Sequence, residues 1–92
     1  MTMPNERTRA IVWAGGFLID IARDRTLPVA LRRRAVVIAR HFPTTDDVSL
    51  MANATKQNWH GPMLAPLEVS EAEDAGDHGP LTLQTRLGWP EE

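Results

Sequence analysis

The 92-residue chain contains no cysteine. That excludes a disulfide framework, a thiolate metal site and a cysteine nucleophile, and it allows a reducing compartment. Long apolar runs are also missing: the longest, Ile11 to Ile19, stops at Asp20, well short of the roughly 20 residues a spanning helix needs. Arg7 and Arg9 precede that run, but Glu6 among them and the lack of a small-x-small cleavage site argue against a signal peptide. A cytoplasmic protein with no membrane association is the expectation.

Catalytic signatures are equally scarce. Gly15-Gly16 lies inside a helical pattern without the lysine or the spacing of a phosphate loop. Ser49 and Ser70 sit in neither a nucleophile elbow nor a Ser-x-x-Lys context. His41, His60 and His78 invite a metal reading, the more so because His-Gly-Pro occurs at both His60 and His78. Only Asp74 and Asp77, near His78, have ligand spacing, so the repeat reads as a turn that launches an extended segment. His41 falls at a helix end, where an imidazolium suits the dipole. The chain reads as a non-enzyme with no cofactor and no bound metal.

What is present is a pronounced charge asymmetry. The net charge is −2. Residues 1–42 hold eight arginines against Glu6, Asp20 and Asp24, whereas residues 43–92 hold Lys56 and Arg86 against nine acids. Either the basic half meets an anionic partner, or the acidic half folds back and neutralises it.

Helical periodicity dominates the first half. Pro4 at a first helical position and Glu6 in the first turn predict a helix running to Arg23 or Asp24. Its apolar face reads as Ala10, Ala14, Phe17, Leu18 and Ile21, with Ile11 at the edge. A second helix is expected over Leu27 to Phe42, bounded by Pro28 and Pro43, with Leu27, Leu31, Ala35, Ile38 and Phe42 inward. The short link Arg25 to Leu27 makes the pair an antiparallel hairpin. Thr44 and Asp47 have capping-box spacing, so a third helix should run from Thr45 to about Ala54 with Val48, Met51 and Ala52 inward.

Two features of the hairpin point outward. Val12 and Ile19 flank Gly15 and Gly16 on another side of the first helix. Each glycine in a helix interior costs roughly 1 kcal/mol against alanine, so the pair implies a close backbone approach, either from the chain's own C-terminal segment or from a second copy of the chain. On the second helix Val29 and Val36 lie among Arg33 and Arg40, a mixed face that an acidic protein surface or the chain's own tail could cover. The candidate partner-binding residues are therefore Val12, Gly15, Gly16, Ile19, Val29, Arg33, Val36 and Arg40.

Beyond residue 58 the helical period ends. Leu81, Leu83, Thr85 and Leu87 alternate with polar residues, and Met63, Ala65, Leu67 and Val69 alternate around Pro66, with acidic Ser70 to Asp77 reading as a loop between them. The expected fold is α+β and mainly helical: a hairpin and third helix over 1–58, then a two-stranded ribbon or extended tail over 59–92, packed as one domain. Trp89 beside Pro90 suggests a tail pinned to the core.

The opening Met1-Thr2-Met3-Pro4, then Glu6-Arg7-Thr8-Arg9-Ala10, together with Arg33, Ala35 and Arg40-His41-Phe42-Pro43-Thr44, resembles a family of short bacterial proteins of unknown function. The resemblance covers the first half, and the family usually has tyrosine where this chain has Phe42. It implies a small cytoplasmic protein and supplies no activity, cofactor or catalytic residue. The function expected from the residues is a protein-interaction module, homodimeric through Val12, Gly15, Gly16 and Ile19. The alternative is a nucleic-acid-associated regulator with winged-helix element order, acting through Arg32, Arg33 and Arg40.

Overall fold

A computed structural model describes residues 3–55 and 64–91. Four helices follow one another, α1 (Pro4–Arg23), α2 (Val29–Ala39), α3 (Thr45–Thr55) and α4 (Val69–Glu73). Their starts follow local chemistry. The Met3 amide donates to Glu6 Oε1 at 3.4 Å before α1. The Pro28 carbonyl accepts from the amides of Leu31 and Arg32, each at 3.1 Å, to open α2. At α3 the box is reciprocal: Thr44 N–H donates to Asp47 Oδ2 at 2.9 Å and Asp47 N–H donates to Thr44 Oγ1 at 3.3 Å, so aspartate takes the usual glutamate's place. Helix α2 ends at Ala39, short of Phe42, because the amides of His41 and Phe42 turn back to the carbonyls of Ile38 and Ala39.

Helix α2 packs on the C-terminal half of α1, through Ala22, Ala35 and Val36, and α3 packs on its N-terminal half, through Val12, Val48 and Ala52. The faces differ from those expected of the period. On α1 the buried residues are Thr8, Val12, Gly15, Gly16, Ile19 and Ala22, and on α2 they are Ala35, Val36 and Ala39. Phe17, Leu31, Ile38 and Met51, expected inside, are exposed. The reason is size: small residues let the helices and the C-terminal segment approach closely, and larger side chains from that segment fill the space.

Thr8 anchors that segment near its start. It is fully buried, and its Oγ1 donates to the Ala65 carbonyl at 2.6 Å while accepting the Ala65 amide at 3.0 Å. Further on, the run expected to be a loop contains α4, held to α1 by Trp13 Nε1–H donating to the Glu71 carbonyl at 3.0 Å. Ala75 is buried beside Val12, Val48 and Ala52. The Asp20 carboxylate then gathers three groups: the amides of Asp77 and His78 at 3.4 and 3.3 Å, and His78 Nδ1 at 2.8 Å. Gly76, at φ +138°, lies so close to that carboxylate that a Cβ would collide with it.

The described residues contain no β-strand. Leu81 and Leu83 do face opposite ways, buried and exposed. Thr82 to Thr85 nevertheless closes into a turn, with Thr85 N–H donating to the Thr82 carbonyl at 3.1 Å and Thr82 N–H to Thr85 Oγ1 at 3.0 Å. Of the expected partner strand, Met63 lies outside the described residues and Val69 opens α4. The observed fold is mainly helical, with an extended tail in which Leu81, Leu87 and Trp89 reach back to the hairpin.

Candidate interaction surface

The eight residues expected to meet a partner are not on one surface. Val12 and Ile19 are buried, as are Gly15 and Gly16: α3 and the C-terminal segment cover Val12, Ala39 and Leu81 cover Ile19, and the C-terminal segment covers the glycines. A Cβ on Gly15 would come within 3.0 Å of Leu81 Cβ. One on Gly16 would run into the Ala75 carbonyl, at 2.8 Å from its carbon. The two glycines therefore serve an intramolecular contact with the C-terminal segment, the first of the two approaches the sequence allowed. Val36 is fully buried as well.

Arg33 and Arg40 are exposed, but the tail engages both. Their guanidinium carbons lie 5.5 and 4.4 Å from the Trp89 ring centroid, and Arg33 Nε lies 3.5 Å from Glu91 Oε1. Cation–π contacts contribute more here than the exposed ion pair. Of the eight, Val29 alone is an exposed apolar side chain with nothing over it among the described residues. Of the histidines, His41 is exposed, His78 pairs with Asp20, and His60 lies outside the described residues. No group of three metal-ligating side chains occurs among the described residues, and none of their helices is long and apolar enough to cross a membrane.

A different surface emerges from the packing. The tail lies over one broad side of the hairpin, touching Gly15 and Gly16 on α1 and Arg33 and Arg40 on α2. At 100° per residue, Phe17 lies about 160° around α1 from Gly15, and Leu31 and Ile38 each lie about 160° around α2 from Arg33 and Arg40. The opposite broad side is thus apolar and bare. Phe17 is 62% exposed, Leu31 42% and Ile38 46%. Ile21 and Ala14 lie half-buried beside them on α1, where Ile21 packs against the Ala22–Ala35–Val36 cluster that joins the two helices.

The bare side carries Phe17, Leu31 and Ile38, which the helical period marks as part of an apolar stripe on each helix. Solvent does not maintain such a stripe: scattered exposed apolar residues are ordinary, but a contiguous patch across two helices is the usual sign of a protein contact. Charges of both signs flank it: Arg34 is exposed on α2, and Asp20 on α1 and Asp24 at its C-terminal end follow Phe17 by three and seven residues. Periodicity found these residues but placed them inside.

No family model, no curated protein and no solved structure matches the chain.

Proposed function

We propose that the chain is a non-enzymatic protein-interaction module that pairs with a second copy of itself through the open side of the α1–α2 hairpin. The observation that carries this reading is the exposure of Phe17, Leu31 and Ile38 on the side the tail leaves uncovered. Two such hairpins, set face to face, would bury both stripes in a four-helix arrangement with its inner positions filled by residues of core type. A twofold axis through the contact needs only one self-complementary patch, which is the commonest solution for small soluble proteins. A cytoplasmic location and independence of any cofactor belong to the same reading. The nucleic-acid alternative loses support because Arg33 and Arg40 are engaged by Trp89 and Glu91, and because α3, its recognition helix, opens with Asp46 and Asp47.

Sedimentation equilibrium over a wide concentration range tests the proposal. The native chain is expected to reach twice its monomer mass, and the Phe17→Asp, Ile38→Asp double variant to stay monomeric with native helical content. A native chain that is monomeric throughout, or a double variant that still pairs, would refute it.

A further inference from the structure

A second feature is independent of the hairpin's open side. Where α1 ends and the tail returns, a cleft of about 600 Å³ opens, lined by Arg23, Arg25 and Arg32 with Leu87, Trp89 and Pro90 on its other wall. No carboxylate among the described residues lines it. Two of the arginines are held in place by backbone. Arg23 Nη2 donates to the Arg86 carbonyl at 3.1 Å, and Arg32 Nε donates to the Ala22 carbonyl at 3.1 Å, which leaves both terminal NH₂ groups of Arg32 available. Arg25 is exposed and pairs with none of the described residues. Asp24 is the nearest acid in sequence, but its carboxylate is turned to the backbone and hydroxyl of Thr26, at 3.0 and 2.6 Å.

Three guanidiniums stand in a cation-rich wall; Asp24 offsets only part of the charge of Arg32, and like charges gathered this way are stabilised by an anion placed among them. Guanidinium forks match the oxygens of phosphate in pairs, and two forks already tethered lose less freedom on binding than free side chains do. The volume falls in the range of small-molecule sites, too large for a lone ion, and the lining is mostly polar, with Leu87, Trp89 and Pro90 adding a small apolar part. We propose that this cleft binds a small phosphorylated compound, its phosphate held by Arg23, Arg25 and Arg32.

Calorimetric titration of the full chain at low ionic strength tests this, with pyrophosphate, inorganic phosphate and a short single-stranded oligonucleotide as probes. Pyrophosphate is expected to bind saturably at one site per chain, more tightly than inorganic phosphate. Arg25→Gln, a change at an exposed side chain that leaves folding intact, should weaken pyrophosphate by about ten-fold or more, the loss of one charge-assisted contact. Arg34→Gln removes the same charge from exposed α2 and should leave affinity within about two-fold, as screening at a distance implies. Equal losses in the two variants would show general charge attraction and overturn the proposal, as would the absence of saturable heat. Oligonucleotide binding that depends on Arg25 without pyrophosphate binding would also overturn it, assigning the cleft to a polymer backbone instead.

Discussion

Replacing Gly16 with alanine separates a glycine that faces a neighbour from one that faces water. In a solvent-facing helix position the change would stabilise the chain by roughly 1 kcal/mol, because glycine gives up more backbone freedom on folding. Here the new methyl would run into the Ala75 carbonyl and stand 3.0 Å from Ala75 Cβ. Backbone cannot rotate aside as a side chain can. Overpacking costs typically 1–3 kcal/mol, and a collision with backbone falls in the upper part of that range, about 2–3 kcal/mol, because α4 together with the loop held by Asp20 would have to shift with it. Set against the propensity gain, the expected net effect is a loss of about 1–2 kcal/mol. For a domain of this size that lowers the melting temperature by about 4–16 °C, out of a total stability on the order of 5–10 kcal/mol. Gly15→Ala is the internal control: its closest neighbour is Leu81 Cβ at 3.0 Å, a milder overlap that a shift of a few tenths of an ångström relieves, so strain and propensity should nearly cancel, within about 1 kcal/mol. Urea denaturation followed by far-ultraviolet circular dichroism gives both numbers. If Gly16→Ala is more stable than the native chain, the tail does not lie on α1 and the packing described above is wrong.

Other perturbations probe the remaining contacts. Thr8→Val keeps the shape but strands the carbonyl of Ala65 and leaves its amide only the 3.4 Å bond to the Pro4 carbonyl, so unfolding should become easier by about 1–3 kcal/mol, read from the same urea midpoints. Trp89→Ala should release Arg33 and Arg40 and loosen the tail, costing about 1–3 kcal/mol, with proteolysis after Arg86 accelerated relative to cleavage within α1. The Thr26 hydroxyl and amide, helped by Arg32, hold the Asp24 carboxyl below its ordinary value of 3.8. A depressed folded-state value means stability that is fully present above that ordinary value and is lost as the pH falls through the folded one. Asp24→Asn should therefore be less stable than the native chain at neutral pH, and the difference should shrink below about pH 4 in melting curves taken across the acid range.

The helix starts were legible because each rests on local chemistry: Pro4 with Glu6, Pro28, and the Thr44–Asp47 pair. The inward faces were not, since hydrophobic period weighs Phe17, Leu31 and Ile38 heavily and gives no weight to Gly15, Gly16, Ala22, Ala35 and Ala39. Those small residues nevertheless make the close contacts. Val12 and Ile19 carried the true direction of α1, and the two glycines beside them signalled a close approach whose source only the fold could decide. The role of Thr8 left no trace in the sequence, because its partner is the backbone of a residue 57 positions away. The tail was half legible: Trp89 does pin it, but the alternating leucines suggested a ribbon where Thr82 and Thr85 close a turn. Helix α4 spans only five residues, too few to show a period. The cleft joins Arg32, which the sequence grouped with Arg33 and Arg40, to Arg23 and Arg25, which it offered only as part of a general basic half.

The absence of native cysteine makes one measurement decisive for the claim that the hairpin is closed on one side and open for pairing on the other. Single cysteines introduced as Phe17→Cys, Ile38→Cys and Ile19→Cys can each be reacted with a small maleimide in the native state, at low and at high protein concentration. The outward pair should label about as fast as a free thiol when dilute and become protected as concentration rises, while the cysteine replacing Ile19 stays protected at both. A reactive thiol at position 19, or outward thiols whose reactivity ignores concentration, would contradict the account.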